Sequence, residues 1–319
     1  MKTLLLTLIS VISLNSSAQN VNIPDANFKA YLVGNALINT NGDSEIQISE
    51  AVAFNGYINC PQSNISDLTG IEAFTALTLL YCQVNDLTSL DVSQNTALIE
   101  FDCSNNQITS LDVTQNTNLN ELEVDNNQLT SLNVTQNTAL TWLICDNNQL
   151  TSLDVTQNTA LTWLICDNNQ LTSLDVTQNT ALTWFGCSYN QLTSLDVSNN
   201  IALTYFYCVA NQLQCLNIKN GNNTSLNSFT AWNNPNLTCI EADDEWSNPT
   251  WATIDTQMSF SLDCANACSI VGVEELSNTP KELLKITDLI GREVTFKPNT
   301  PLIYIYSDGT AEKVFKMQD

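Results

Sequence analysis

Between residues 61 and 245 the apolar positions return every 21 residues: Leu77, Leu98, Leu119, Leu140, Leu161, Leu182 and Leu203 mark one phase of the pattern. Residues 140–160, LTWLICDNNQLTSLDVTQNTA, are followed by an identical copy at 161–181. Each unit begins LxxLxCxxNxL, as in Leu140, Leu143, Cys145, Asn148 and Leu150. Leu143 and Cys145 alternate with Trp142, Ile144 and Asp146, which predicts a short strand with the first pair inward and the other three outward. The second half, LTSLDVTQN, sends Leu150, Leu153 and Val155 inward. Helical periodicity is missing from the repeats, so a second extended segment is expected on the return, not a long helix. One such coil cannot bury its own apolar edge, whereas stacked coils share a continuous core.

This pattern resembles the leucine-rich repeat family, and the stretch Asn64 to Asn85, NISDLTGIEAFTALTLLYCQVN, is similar to its internalin subgroup. The resemblance implies a β-rich solenoid of about eight coils, with successive strands paired in parallel. Two asparagine columns keep the same period. One runs through Asn85, Asn106, Asn127, Asn148, Asn169, Asn190 and Asn211, the other through Asn95, Asn116, Asn137, Asn158, Asn179 and Asn200. Inward amides at these positions are expected to satisfy backbone groups where the chain turns.

The flanks read differently. Residues 1–18, MKTLLLTLISVISLNSSA, have the charge, apolar stretch and small-residue end of a secretory signal cut after Ala18, and the apolar run is too short to span a membrane. Residues 19–60 form an N-terminal cap, with an amphipathic helix expected over 23–37. The loop from Asn39 to Glu50 resembles a calcium loop of the EF-hand or dockerin type. The resemblance implies Asn39, Asn41, Asp43, the Glu45 carbonyl and Glu50 as ligands of a possible calcium ion. It departs from that pattern at Asn39, normally Asp, and at Ser44, normally Gly; the alternative is a polar turn that closes the cap. Residues 246–268 are expected to cap the other end, and 269–280 to be a linker. Residues 281–319 alternate as the short strands LLKITDL, REVTF, LIYIYS and EKVFKM. KITDLIGREV, PLIYIYSDGT and the basic end KVFKM look like the type A C-terminal sorting domain of type IX secretion cargo. That resemblance implies contact with secretion machinery and delivery to the outside of a Gram-negative outer membrane, with surface attachment or release.

Composition narrows the function. Nine Lys+Arg stand against 33 Asp+Glu, a net charge of −24, which disfavours nucleic acid and anionic membrane as partners. Histidine is absent, which removes imidazole bases and His-ligated zinc. No phosphate loop and no paired-carboxylate pocket is apparent, so a non-enzymatic protein is expected. Of the eleven cysteines, Cys82, Cys103, Cys145, Cys166, Cys187 and Cys208 share one inward slot that Val124 also fills. They read as free buried thiols and not as a disulfide framework. Cys215, Cys239, Cys264 and Cys268 form a separate terminal group, in which Cys239–Cys264 is the favoured pair.

The outward strand positions vary from coil to coil on what the resemblance makes a concave face. Glu100, Asp102, Glu121 and Glu123 form an acidic patch, and Trp142, Trp163, Trp184, Tyr205 and Tyr207 an aromatic stripe beside it. Rigid outward rings suit recognition of a protein partner, or of a polysaccharide by stacking; a ladder that only packs neighbouring strands is the structural alternative. On the opposite face Asp91, Asp112, Asp154, Asp175 and Asp196 form a column that is tolerable when solvated and that divalent cations would relieve. Cell-surface adhesion through a protein partner is the expected function, and carbohydrate binding is the alternative.

Overall fold

The computed structural model describes residues 19–244, 249–250, 252–264, 283–287, 292, 294, 302–306 and 311–314. The proposed signal segment and the linker lie outside them. The chain divides into two compact units, Met1–Cys268 and Ser269–Asp319.

In the first unit each 21-residue repeat makes one coil. The front strands are only three residues long, because an inward residue flanked by two outward ones is all that each coil presents before it turns. Leu143 sits fully buried between half-buried Trp142 and Ile144, and the same order recurs at Leu164 between Trp163 and Ile165. Strand pairing is parallel and without slip: Trp142 lies opposite Trp163, and Trp163 opposite Trp184. Register is fixed by the buried slots, since a one-residue shift would turn every core leucine to solvent.

The front sheet has ten strands, beginning with Tyr57–Asn59 and ending with Ala252–Thr253, so about ten turns replace the expected eight. The two extra turns come from segments expected to be caps. Ile58 pairs with Leu80, and Cys60 is buried like the repeat cysteines, so the apolar slots persist where the leucine consensus has faded. Residues 252–264 likewise give a front strand and a return strand, Ser259–Ser261. A strand ladder on the return face is present only from Ser194–Asp196 onward, through Cys215–Asn217 and Cys239–Glu241 to Ser259–Ser261. The earlier returns are extended but make single backbone contacts, such as Gln149 N–H to the Leu129 carbonyl at 2.8 Å.

The asparagine columns close the turns. Asn148 Nδ2 donates to the carbonyls of Val124, Cys145 and Asp146 at 3.0, 3.2 and 3.1 Å, while its Oδ1 accepts from Leu129 N–H at 2.9 Å. Asn158 Nδ2 donates to the carbonyls of Val134 and Asn137 at 2.9 and 2.8 Å. One side chain therefore ties two coils, and its loss would strand buried carbonyls at roughly 1–3 kcal/mol each.

At the N-terminus, α1 (Ala26–Val33) is capped by Asp25, whose carboxylate accepts from the N–H groups of Asn27 and Phe28, both at 2.9 Å. It buries Phe28 and Leu32 against the first coil and stops well short of the expected end, leaving Leu37 exposed. A second helix, α2 (Ile48–Ala53), starts inside the Asn39–Glu50 loop on a capping box formed by Gln47 and Glu50. The Tyr31 hydroxyl accepts from Asn59 N–H at 2.8 Å and so covers part of the sheet's first edge.

The second unit contains a three-stranded antiparallel sheet in chain order: Leu283–Thr287, Leu302–Tyr306 and Ala311–Val314. Val294 N–H donates to the Ile286 carbonyl at 2.9 Å. Among the described residues no helix is long and apolar enough to cross a membrane.

Candidate recognition face

Parallel in-register pairing turns each outward slot of the front strands into a continuous column. In the first column Glu100 and Glu121 lead into Trp142, Trp163, Trp184 and Tyr205. The tryptophan rings are stacked, with centroids 4.2 Å apart for Trp142–Trp163 and 4.3 Å for Trp163–Trp184, and Tyr205 is tilted by 30° against Trp184 at 4.4 Å. Tyr207, one slot further along its strand, lies 5.6 Å from Trp184. Ring faces within the stripe are therefore covered by the next ring, and its middle offers mainly edges to a ligand. Strand spacing of about 4.8 Å imposes this, because rings on consecutive rungs have room only to stack.

The second column runs Tyr81, Asp102, Glu123, Ile144, Ile165, Gly186 and Tyr207. The four acidic residues foreseen in the sequence do come together: Glu100 stands opposite Glu121, and Asp102 opposite Glu123. The Tyr81 hydroxyl donates to Glu100. Burial, then the charges of Asp102 and Glu121, push Glu123 up to about 7, and burial followed by Glu100 raises Glu121 as well.

A third column, just past the strands, extends the acidic patch beyond the residues singled out above. Gln83, Ser104, Asp125, Asp146, Asp167 and Ser188 follow one another there. Asp125 and Asp167 are pushed up to about 6, chiefly by burial, with Asp146 adding like charge to both. Asp167 accepts from Ser188 N–H at 2.5 Å and lies over Gly186, where a Cβ would stand only 3.1 Å from its Oδ1. The one visible signal was the glycine itself, the sole coil without a side chain in the second column from Tyr81 to Tyr207. Carboxylates thus border the Trp–Ile block on two sides.

The loop read as a calcium site is organised otherwise. Glu50 accepts from Thr40 N–H at 2.8 Å, Thr40 Oγ1 at 2.9 Å, Asn41 N–H at 3.1 Å and Gln47 N–H at 3.0 Å. Glu45 pairs with Lys29 Nζ at 2.6 Å. The Asn39 amide donates to the carbonyls of Val33 and Asp43, at 3.0 and 2.7 Å, and its Oδ1 accepts from Gly42 N–H. Asn41 and Gln47 amides donate to Asp43 Oδ2 at 2.9 and 3.0 Å. Amide and hydroxyl hydrogens engage the side-chain oxygens of Asn39, Asn41, Asp43 and Glu50, while Lys29 takes the Glu45 carboxylate and leaves its carbonyl aside. The side chains make a hydrogen-bonded turn, the alternative to a calcium loop.

The return-face aspartates serve turns as well. Asp112 and Asp154 each accept from the hydroxyl and N–H of the threonine two residues on, which holds them below the usual carboxylate range. Asn133 makes the same pair of bonds without a charge.

Burial pushes Cys60 up to about 12 and the other repeat thiols further still, while the Cys166 thiol donates to the Gly186 carbonyl at 3.3 Å. Cys60, Cys82, Cys103, Cys145, Cys166, Cys187 and Cys208 are free and buried. Cys239 and Cys264 are joined by a disulfide across Cα atoms 5.9 Å apart. Cys215 is also disulfide-bonded. It is buried, although it precedes the inward Leu216 on its strand.

No protein-family model matches the chain. Over 39 residues, 12% of the chain, it is 54% identical to Internalin J of Listeria monocytogenes serotype 4b (strain F2365), and that stretch spans 4% of the relative's length. The solved functional domain of InlJ from Listeria monocytogenes, which includes a cysteine ladder, is 29% identical, with 71% of this chain and 68% of that one covered and a TM-score of 0.35. Internalin C2 of Listeria monocytogenes strain 4b F2365 is 17% identical, covering 70% of this chain and 98% of that one with a TM-score of 0.55. The 21-residue coils and the parallel front sheet give this chain the fold of a leucine-rich repeat solenoid, similar to that of internalin C2.

Proposed function

We propose that the protein is a surface-displayed recognition protein that binds a protein partner across its front sheet. The observation that supports this best is the pairing of a Trp–Ile block with a carboxylate border on one continuous sheet face. Half-buried aromatic residues beside charge are the usual makings of a protein-binding centre. A fixed scaffold also lets the face bind without ordering itself first. Polysaccharide binding by ring stacking is less well supported, because the tryptophan faces are already covered by one another. Neither a nucleophile with a base nor an enclosed polar site supports catalysis here.

Export is part of the same proposal: residues 1–18 direct secretion, and 281–319 act as the sorting tail that brings the solenoid to the outer surface of a Gram-negative cell. Deleting 281–319 should then leave the protein inside the outer membrane, detectable by surface protease accessibility. For binding, the triple variant Trp142→Ser, Trp163→Ser, Trp184→Ser should lose capture of a surface protein while keeping its far-ultraviolet circular dichroism. A glycan array that lights up with the unaltered protein and goes dark with the triple variant would favour the carbohydrate reading instead.

A further inference from the structure

In the column at Asp125, Asp146 and Asp167 each carboxylate accepts a hydrogen bond from a neutral group, from the amides of Asn126 and Asn147 and from Ser188 N–H respectively. The same slot holds Gln83, Ser104 and Ser188 in neighbouring coils, so the fold accepts a neutral polar group there. Stacking three carboxylates on consecutive rungs, half-buried, is a standing cost. The repeats themselves supply no counter-charge: there is no lysine or arginine between Lys29 and Lys219. Lys29 pairs with Glu45. Beside the column lie Ile144, Ile165 and the tryptophan edges, an apolar strip that is itself half-exposed.

We infer that the partner bound by this face is a cationic amphipathic protein segment, its lysine or arginine side chains meeting the Asp125–Asp146–Asp167 column and its apolar side chains the Trp–Ile strip. The inference rests on the proposed protein-binding role of the front sheet and specifies the chemistry of its partner. A cation brought to these carboxylates removes their mutual repulsion and gains an attraction little weakened by water, because the groups are partly withdrawn from it. Specificity comes from combining the two: an acidic segment is repelled, and a basic one without apolar side chains leaves the strip uncovered. The titrating groups around the column are Asp102, Glu121 and Glu123 on the strand side, whose carboxyls are likewise raised by burial first. Protonation of these raised carboxyls therefore removes part of the patch's charge, and the partner should be released in mild acid.

Isothermal titration of the full chain with a short synthetic peptide of alternating lysine and leucine tests this, with the glutamate–leucine peptide as its counterpart. The lysine peptide should bind at about pH 7.5 and lose most of its affinity at about pH 5, the window set by raised carboxyls against an ordinary carboxylate near 4. Asp125→Asn, Asp146→Asn, Asp167→Asn together should weaken binding about tenfold or more. The charge-matched triple Asp91→Asn, Asp112→Asn, Asp154→Asn should change it by less than about twofold, since those groups stand on the return face and screening confines their effect. Asn133 shows that the return-face turn keeps its bonds with asparagine. Equal loss in both triples, or equal binding of the two peptides, overturns the inference. If the tryptophan triple abolishes binding and the front aspartate triple does not, the face recognises its partner without cations. If neither matters, the front-sheet reading fails as well.

Discussion

Val84 is held at φ 57°, the left-handed conformation that the matching position of other coils gives to Asn105, Asn126, Asn147 and Asn168. Asparagine tolerates this backbone by bonding locally, whereas a β-branched side chain crowds the carbonyl. Val84 is exposed, so it recovers little by burial. Val84→Asn should therefore raise unfolding free energy by about 1 kcal/mol, read from the urea midpoint at unchanged slope. The columns of inward Leu, Cys and Asn were plain in the sequence because their spacing admits one placement. The outward place of Asp146 was legible from the same alternation, but the burial of Asp125, Asp146 and Asp167 was not, and only the lean of Asp167 over Gly186 shows how far from water it sits.

At the scale of one element, a coil is too small to be stable alone, and each borrows its core from its neighbours. This explains why the coil count could be underestimated from consensus letters. Ile58 and Cys60 fill the slots of Leu80 and Cys82 although YINCPQ scarcely resembles the repeat. The same packing seals the thiols. Under native conditions at neutral pH the seven free cysteines should resist a thiol reagent and react together on unfolding; rapid labelling of the folded protein would refute their placement. In the Asn39–Glu50 loop the letter pattern leaves two readings open, since alternating Asn and Asp suit either a metal or a web of amide donors. The web here is complete around Glu50, so millimolar calcium should leave the melting temperature of the protein unchanged. An upward shift of several degrees, abolished by a chelator, would restore the metal reading.

For the whole molecule, charge dominates. The net −24 is not spread evenly: six of the nine basic residues lie in 281–319, leaving the solenoid almost without counter-ions. Glu123, raised to about 7, and Asp125 and Asp167, raised to about 6, bind protons more readily folded than unfolded. Stability should thus increase as pH falls from above 7 toward the unfolded carboxylate range near 4. Glu50 works in the opposite sense. Burial raises it, but bonds from Gln47, Thr40 and Asn41 outweigh that and hold it low, so its contribution is lost only in stronger acid. A melting curve series from about pH 8 to 4.5 should show a rise in transition temperature, flattened in the front aspartate triple. A fall over the same range would mean that the front carboxylates are solvated.

The central claim is that successive coils stack in register, so that one slot becomes one column. Selectively labelled tryptophan in solution tests it directly through contacts between indole protons. Cross-peaks are expected between Trp142 and Trp163 and between Trp163 and Trp184, with none between Trp142 and Trp184, and Trp163→Ser should remove both. Absence of the two cross-peaks in the folded protein, or a direct one between Trp142 and Trp184, would contradict the stacking on which the recognition face is built.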